Sequence, residues 1–168
     1  LNKFLTLAKK DARTVLYTAW HTLAYTGLRR GELLGLEWSD IDFKNKTISV
    51  SKTLVTINGK LSTQSPKTKR SARTISLDDS TVQVLKDWKL EQKKLFFKNG
   101  VKSQNIVITN TKGGYFDFAH FRDELKYFLG KHKLKQFSVH SLRHTHASLL
   151  FEAGIEPKTI SDRLGHSN

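Results

Sequence analysis

The stretch VHSLRHTHASLL, Val139 to Leu150, places three histidines and an arginine within seven positions. His140 and His144 stand four apart, the spacing that puts two side chains on one helix face, as zinc ligands can be. Two details weigh against a metal. Ser141 stands where a helical zinc-protease motif carries glutamate, and Arg143 brings a fixed cation to the same neighbourhood. A solvated basic face is the plainer alternative. Yet His140 and Arg143 are three apart and project together, and Leu142, Ala147, Leu149 and Leu150 make the rest of the helix apolar. That face is therefore expected to meet a core or a cleft. Leu164-Gly165-His166 follows one helix later and can return a further polar group to the same place.

A second arginine is set up the same way. In Tyr25-Thr26-Gly27-Leu28-Arg29-Arg30-Gly31-Glu32, Arg29 follows a glycine turn at the start of a helix. Two arginines from different elements can clamp the oxygens of one phosphate through bidentate hydrogen bonds. Phosphoryl transfer needs that positioning and that stabilisation of an anionic transition state. Glu32 either orients Arg29 or makes an ordinary surface pair.

The elements that must hold these groups are legible from periodicity. Leu5, Leu7 and Ala8, then Val15, Leu16, Ala19, Trp20, Leu23 and Ala24, recur at helical spacing, with Gly27 as the C-cap. A short helix is expected over Arg30–Leu36. Thr47–Val50, Thr53–Ile57 and Arg73–Leu77 read as strands of one small antiparallel sheet, with Asn58-Gly59 as a hairpin turn and Lys60 opening the return strand. The basic segment Pro66–Arg70 lies inside it. Asp79 or Ser80 is expected to cap a long helix reaching Lys98. Asn105–Asn110 reads as a short strand. Phe118–Leu129 reads as a helix, Ser138 caps the histidine-bearing helix, and Pro157 opens a last one. The expected class is α+β, mostly helical, in one domain.

Composition limits the partner. The chain of 168 residues has 29 Lys+Arg against 15 Asp+Glu, a formal charge of +14. Such an excess points to a polyanion, either nucleic acid or an anionic membrane surface. No apolar run approaches a spanning helix and there is no signal-peptide pattern. With no cysteine there are no disulfides or thiolate metal sites, which suits a reducing cytoplasm. No phosphate-binding loop of the Gly-x-x-x-x-Gly-Lys type is present.

The order Thr-Gly-Leu-Arg-x-x-Glu-Leu, a hairpin lysine, His-x-Leu-Arg-His-Thr and Leu-Gly-His resembles the catalytic domain of tyrosine recombinases, the phage-type integrases. The resemblance runs from about Leu16 to the C-terminus. It implies that fold, with its small antiparallel sheet, and it assigns residues. Arg29 matches the first catalytic arginine and Glu32 its acidic buttress. Lys67 matches the hairpin lysine that protonates the departing 5′ oxygen, with Lys69 the alternative in a loop of uncertain register. His140 and Arg143 match the His-x-x-Arg pair, and His166 the later histidine on the scissile phosphate. His144 and His146 are read as local packing or structural groups. Lys60, Lys69, Arg70 and Arg73, around the hairpin, are the candidate DNA-backbone contacts.

The family's nucleophilic tyrosine lies shortly beyond the Leu-Gly-His histidine. Tyr17, Tyr25, Tyr115 and Tyr127 all precede that motif, so the nucleophile is not in this chain. The expectation is a catalytic domain over residues 1–168, cut before its tyrosine and lacking N-terminal DNA-binding domains. The implied function is site-specific recombination of double-stranded DNA, integrating or excising a phage or mobile element, through a 3′-phosphotyrosine and with no metal or other cofactor. Covalent storage of the phosphodiester removes the need for nucleotide energy. The whole protein is expected to be cytoplasmic, to act as a homotetramer, and to work with accessory DNA-bending proteins where the element uses them. The fragment itself is expected to be a monomer that binds DNA without cutting it. A non-catalytic DNA-binding regulator on the same scaffold is the alternative.

Overall fold

The computed structural model describes residues 1–65, 72–102 and 104–165. Among these, helices dominate: α1 (Asn2–Asp11), α2 (Thr14–Thr26), α3 (Arg30–Leu34), α4 (Asp79–Lys98), α5 (Phe118–Lys131), α6 (Val139–Glu152) and α7 (Pro157–Leu164). Five short strands lie between α3 and α4: β1 (Ile41–Asp42), β2 (Thr47–Val50), β3 (Thr53–Ile57), β4 (Lys60–Gln64) and β5 (Arg73–Ser76). The expected α+β class, mostly helical, is the one observed.

Helix α2 is the centre of the molecule. Its sequence, TVLYTAWHTLAYT, contains no charged residue, and a helix apolar nearly all round is stable only when covered on most sides. Val15, Leu16, Ala19, Trp20, Leu23 and Ala24 are buried. Helices α1, α4 and α6 pack around α2. The continuous apolar pattern from Leu5 to Ala24 is two helices rather than one, broken where Ala12 takes an extended conformation.

The strands form two sheets where one was expected. β1, β2 and β5 make an antiparallel sheet in that order, with Ile41 opposite Ile48 and Ile48 opposite Ile75. β3 and β4 pair separately as a hairpin, turning at Asn58-Gly59 with φ of 48° and 75°. Within β5, Arg73 and Ile75 lie on the same face because side chains alternate along a strand. Ile75 is fully buried, so this face points inward.

Two local expectations shift. The α4 cap is Asp78, whose carboxylate accepts from the Thr81 backbone N–H at 2.9 Å. Residues 105–110 make isolated bridges, Glu37 to Ile106 and Thr109 to Tyr115, in place of a strand. The reason is local: the Asn110 side chain accepts from Lys112 N and Gly114 N and donates to Tyr115 O, which closes a turn there.

Candidate active site

The α2–α3 junction sets the first half of the site. α2 ends at Gly27 in the left-handed region, φ 67° and ψ 19°. A side chain at Gly27 would put its Cβ 2.5 Å from Leu164 and 2.7 Å from His146, so only glycine lets α6 and α7 approach this closely. Leu28 is buried, and Arg29 becomes the N-cap of α3. The Glu32 carboxylate, one turn in, accepts from the Arg29 backbone N–H at 2.8 Å and from Arg29 Nη1 at 3.0 Å. Glu32 is only 6% exposed.

A second guanidinium completes the acceptor pattern of Glu32. Arg73 reaches in from β5 and donates from Nη1 to Oε1 at 2.9 Å and from Nη2 to Oε2 at 2.8 Å. This is a two-pronged pair between side chains 8% and 6% exposed. Burial pushes the Glu32 carboxyl up, but the Arg73 hydrogen bond and charge, with the Arg29 bonds, hold it below its ordinary range.

The other half of the site is the end of α7. A helix leaves its last carbonyls without helical partners, and that end carries a partial negative charge. Here three consecutive carbonyls each accept from a different arginine. Arg73 Nε donates to Arg163 O at 2.7 Å, Arg143 Nη2 to Leu164 O at 2.7 Å, and Arg29 Nη2 to Gly165 O at 2.7 Å. Arg143, rising from α6, also donates from Nη1 to Gly27 O at 2.6 Å, so it spans the C-terminal ends of both α2 and α7. Four residues from three elements, Arg29 and Glu32 at the start of α3, Arg73 on β5 and Arg143 on α6, thus form one cluster with three cations and one anion.

Electrostatics give these groups different roles. Arg143 is 3% exposed. Its burial and the nearby charges of Arg29 and Arg73, partly offset by Glu32, push its guanidinium down to about 10. It still keeps its proton at neutral pH. Arg29 is the open member, with 40% of its side chain exposed. His140, one turn before Arg143, is exposed at the surface. Desolvation, then His144, Arg143 and Arg29, hold its imidazole below the ordinary 6.5. A neutral imidazole therefore stands beside two guanidiniums. The whole arrangement suits a tetrahedral oxyanion, with cations to bind it and a neutral group able to take or give a proton.

The other two histidines of α6, His144 and His146, make local contacts. His144 meets the His140 ring edge-on, with centroids 4.5 Å apart and planes at 89°. His146 is buried. Its Nε2 accepts from Arg163 Nε at 3.1 Å, so Nδ1 carries the proton and donates to Ala24 O at 3.1 Å. Burial, then the Arg163 charge, pushes His146 down to about 4. Arg163 also donates to Ser76 Oγ and Ser76 O, which ties α7 to β5. Among the described residues, no group of three His, Cys, Asp or Glu is placed to share a metal ion.

Of the residues singled out by sequence, Arg29, Glu32, His140 and Arg143 come together. Lys67, Lys69, Arg70 and His166 lie outside the described residues. Lys60 is exposed at the tip of the β3–β4 hairpin. Arg73, expected among the DNA-backbone contacts, instead has its side chain turned inward beside Ile75 by strand alternation, only 8% exposed, where Glu32 and Arg163 O engage its guanidinium. That alternation was legible in Arg73-Thr74-Ile75 and gave the signal. Arg163 was missed as well, though it shares a helix face with Ile160 and Leu164. Tyr17 and Tyr25 belong to another cluster, with both rings against His21.

Comparison with known proteins fits this geometry. Residues 1–168 match the model of the Phage integrase family, and the chain belongs to that family. It is 34% identical over 168 residues to the ICEBs1 integrase of Bacillus subtilis, covering 99% of this chain and 45% of that protein. It is 39% identical over 157 residues to a XerC-like tyrosine recombinase of Caldanaerobacter subterraneus, covering 85% of this chain and 40% of that protein. The Tn1549 transposon integrase, solved in complex with transposon right end DNA, shares the fold with a TM-score of 0.84 at 27% identity. That match covers 99% of this chain and 56% of the Tn1549 chain. The chain thus spans less than half the length of either sequence relative.

Proposed function

We propose that this chain is the catalytic domain of a site-specific tyrosine recombinase that cuts and rejoins double-stranded DNA. The observation that carries the reading is the pairing of Arg29 and Arg143. They come from opposite ends of the chain, yet donate to the adjacent carbonyls Gly165 O and Leu164 O, with neutral His140 beside them. The two guanidiniums receive the non-bridging oxygens of the scissile phosphate. Arg143 supplies a buried charge held in place at both ends, and Arg29 the open one.

In this reading a tyrosine from the sequence beyond Asn168 attacks phosphorus. Its proton passes to His140, and a 3′-phosphotyrosine forms as the 5′ oxygen leaves. Lys67 protonates that oxygen, with Lys69 the alternative, and His166 donates to the phosphate. Water is kept from the intermediate, so the 5′-hydroxyl of a partner strand attacks in turn and rejoins the backbone. The substrate is a recombination site of a phage or other mobile element. The working assembly is a homotetramer on paired sites, assisted by DNA-bending proteins where the element uses them. The fragment alone is a monomer. Lys60, Lys69 and Arg70 contact the DNA backbone. The protein works in the bacterial cytoplasm, in line with the absence, among the described residues, of a helix long and apolar enough to cross a membrane. The excess positive charge, +14, favours the same polyanionic partner.

The test is a nicked duplex whose cleaved end diffuses away, incubated with the full-length protein in EDTA. A covalent protein–DNA adduct through a tyrosine is expected. Arg143→Ala should abolish the adduct while keeping most of the salt-sensitive binding. Binding without an adduct would support the non-catalytic regulator, and an adduct that requires Mg²⁺ would overturn the metal-free mechanism.

A further inference from the structure

The cluster contains one cation that the phosphate-clamp reading leaves without a task. Arg73 faces inward from β5, its side chain only 8% exposed, and lies one layer behind Arg29. It engages Glu32 with both Nη groups and the Arg163 carbonyl with Nε, so the whole guanidinium plane is fixed by two elements other than its own. Gly165 packs directly against it: a Cβ there would sit 2.9 Å from Arg73 Nη1 and 3.2 Å from Cζ. The position is also mechanically central. In the sequence, β5 follows the segment that contains Lys67 and Lys69. Glu32 sets the N-cap geometry of Arg29. The end of α7 is where Arg29 and Arg143 are both hung.

We propose that Arg73 is a positioning residue for strand cleavage. Acting through Glu32, it fixes the direction of the Arg29 guanidinium. Through the Arg163 carbonyl, it fixes the end of α7 relative to β5. It does not touch the phosphate. Glu32 cannot do this alone, because a carboxylate bonded only to Arg29 and to its own helix would turn with that helix as a unit. The second fork, from a different element, gives it an external reference. Near-attack geometry tolerates little error: misplacement by about 1 Å can cost about 10²-fold in rate.

This inference rests on the recombinase reading, and the experiment separates the two. Full-length protein is mixed with the nicked duplex at saturating concentration, and the adduct is followed in a single turnover. Thermal melting gives the folded fraction, and the plateau of adduct gives the competent fraction. Arg73→Gln should slow adduct formation about 10²-fold per competent molecule, with half-saturation by DNA unchanged. Arg73→Lys, which keeps the charge but not the fork, should recover part of the rate. The double variant with Glu32→Gln should be no slower than the slower single variant, because the two residues act as one unit. A merely structural role would lower the melting temperature and the plateau while leaving the rate per competent molecule unchanged. That result, or losses that multiply in the double variant, overturns the proposal. If Arg73→Gln does not fold, Arg73→Lys carries the same comparison. Absence of adduct from the wild type overturns the functional reading itself.

Discussion

Glu32→Gln is the sharpest test of the charge cluster, because the replacement preserves shape and removes one charge. In the wild type Oε1 accepts from Arg29 Nη1 and Arg73 Nη1, and Oε2 from the Arg29 backbone N–H and Arg73 Nη2. An amide nitrogen cannot accept, so either orientation of the glutamine leaves two donors facing a third. It also leaves Arg73 and Arg143 buried together without the carboxylate between them and Arg29. Removing one partner of a buried ion pair costs about 3–5 kcal/mol. The Arg29 contact adds little to that figure, since its side chain is 40% exposed and screened by water. For a domain of this size the loss corresponds to a melting temperature lower by about 10 °C. The difference should be nearly independent of salt, unlike a surface pair. It should also depend on pH with a definite sign. The folded Glu32 carboxyl lies below its ordinary 4.5, so its contribution is complete above that value. It is lost as pH falls through the lowered folded value. Urea unfolding of both proteins from pH 7 to pH 3 measures this, with the slope m checked for constancy. A difference under about 1 kcal/mol at pH 7, or one that grows toward low pH, would refute the buried-cluster argument.

Other consequences can be checked with the same proteins. His146 is pushed from 6.5 down to about 4 in the folded state, so wild-type stability should fall between pH 6.5 and pH 4 as the unfolded chain takes up a proton the folded one refuses. Against His146→Gln, the wild type should lose about 3 kcal/mol more over that window by urea unfolding, and a parallel pH profile would disprove the neutral Nδ1–H assignment. Gly165→Ala places a Cβ against Arg73 at φ 67°. It should cost about 1–2 kcal/mol from the left-handed backbone alone and also slow DNA cleavage, whereas an unslowed, equally stable variant would mean the turn does not bear on Arg73. Lys60→Ala should weaken DNA binding similarly on all sequences and reduce the slope of log affinity against log salt by about 1. An unchanged slope would remove Lys60 from the backbone contacts.

The helices and their caps were largely legible because their signals are local. The period of apolar residues, Ser138 before α6 and Pro157 at the start of α7 act within a turn or two of chain. The strands were legible as strands but not as sheets. Which strand pairs with which is decided over distance, and the hairpin at Asn58-Gly59 closes on itself without joining β2 and β5. The Asn105–Asn110 segment failed as a strand because the Asn110 side chain closes a turn on the nearby backbone. The α4 cap, expected at Asp79 or Ser80, is Asp78, which only its hydrogen bond from the Thr81 backbone distinguishes from these neighbours.

The sequence by itself singled out the residues proposed to carry the chemistry. Arg29, Glu32, His140 and Arg143 stand in local motifs whose residue types and spacing suit phosphate chemistry, and the net charge of +14 pointed to a polyanionic partner. Only the tertiary structure decided how they are held. The carbonyls of Arg163, Leu164 and Gly165 are ordinary backbone, invisible in a sequence, and each becomes an arginine site because α7 ends against α2, α6 and β5. Arg73 shows the difference most clearly. In the sequence it is one more cation beside a basic loop. In the fold it is buried against a carboxylate, because strand alternation and packing decide which cations meet water and which are turned inward to hold the others in place.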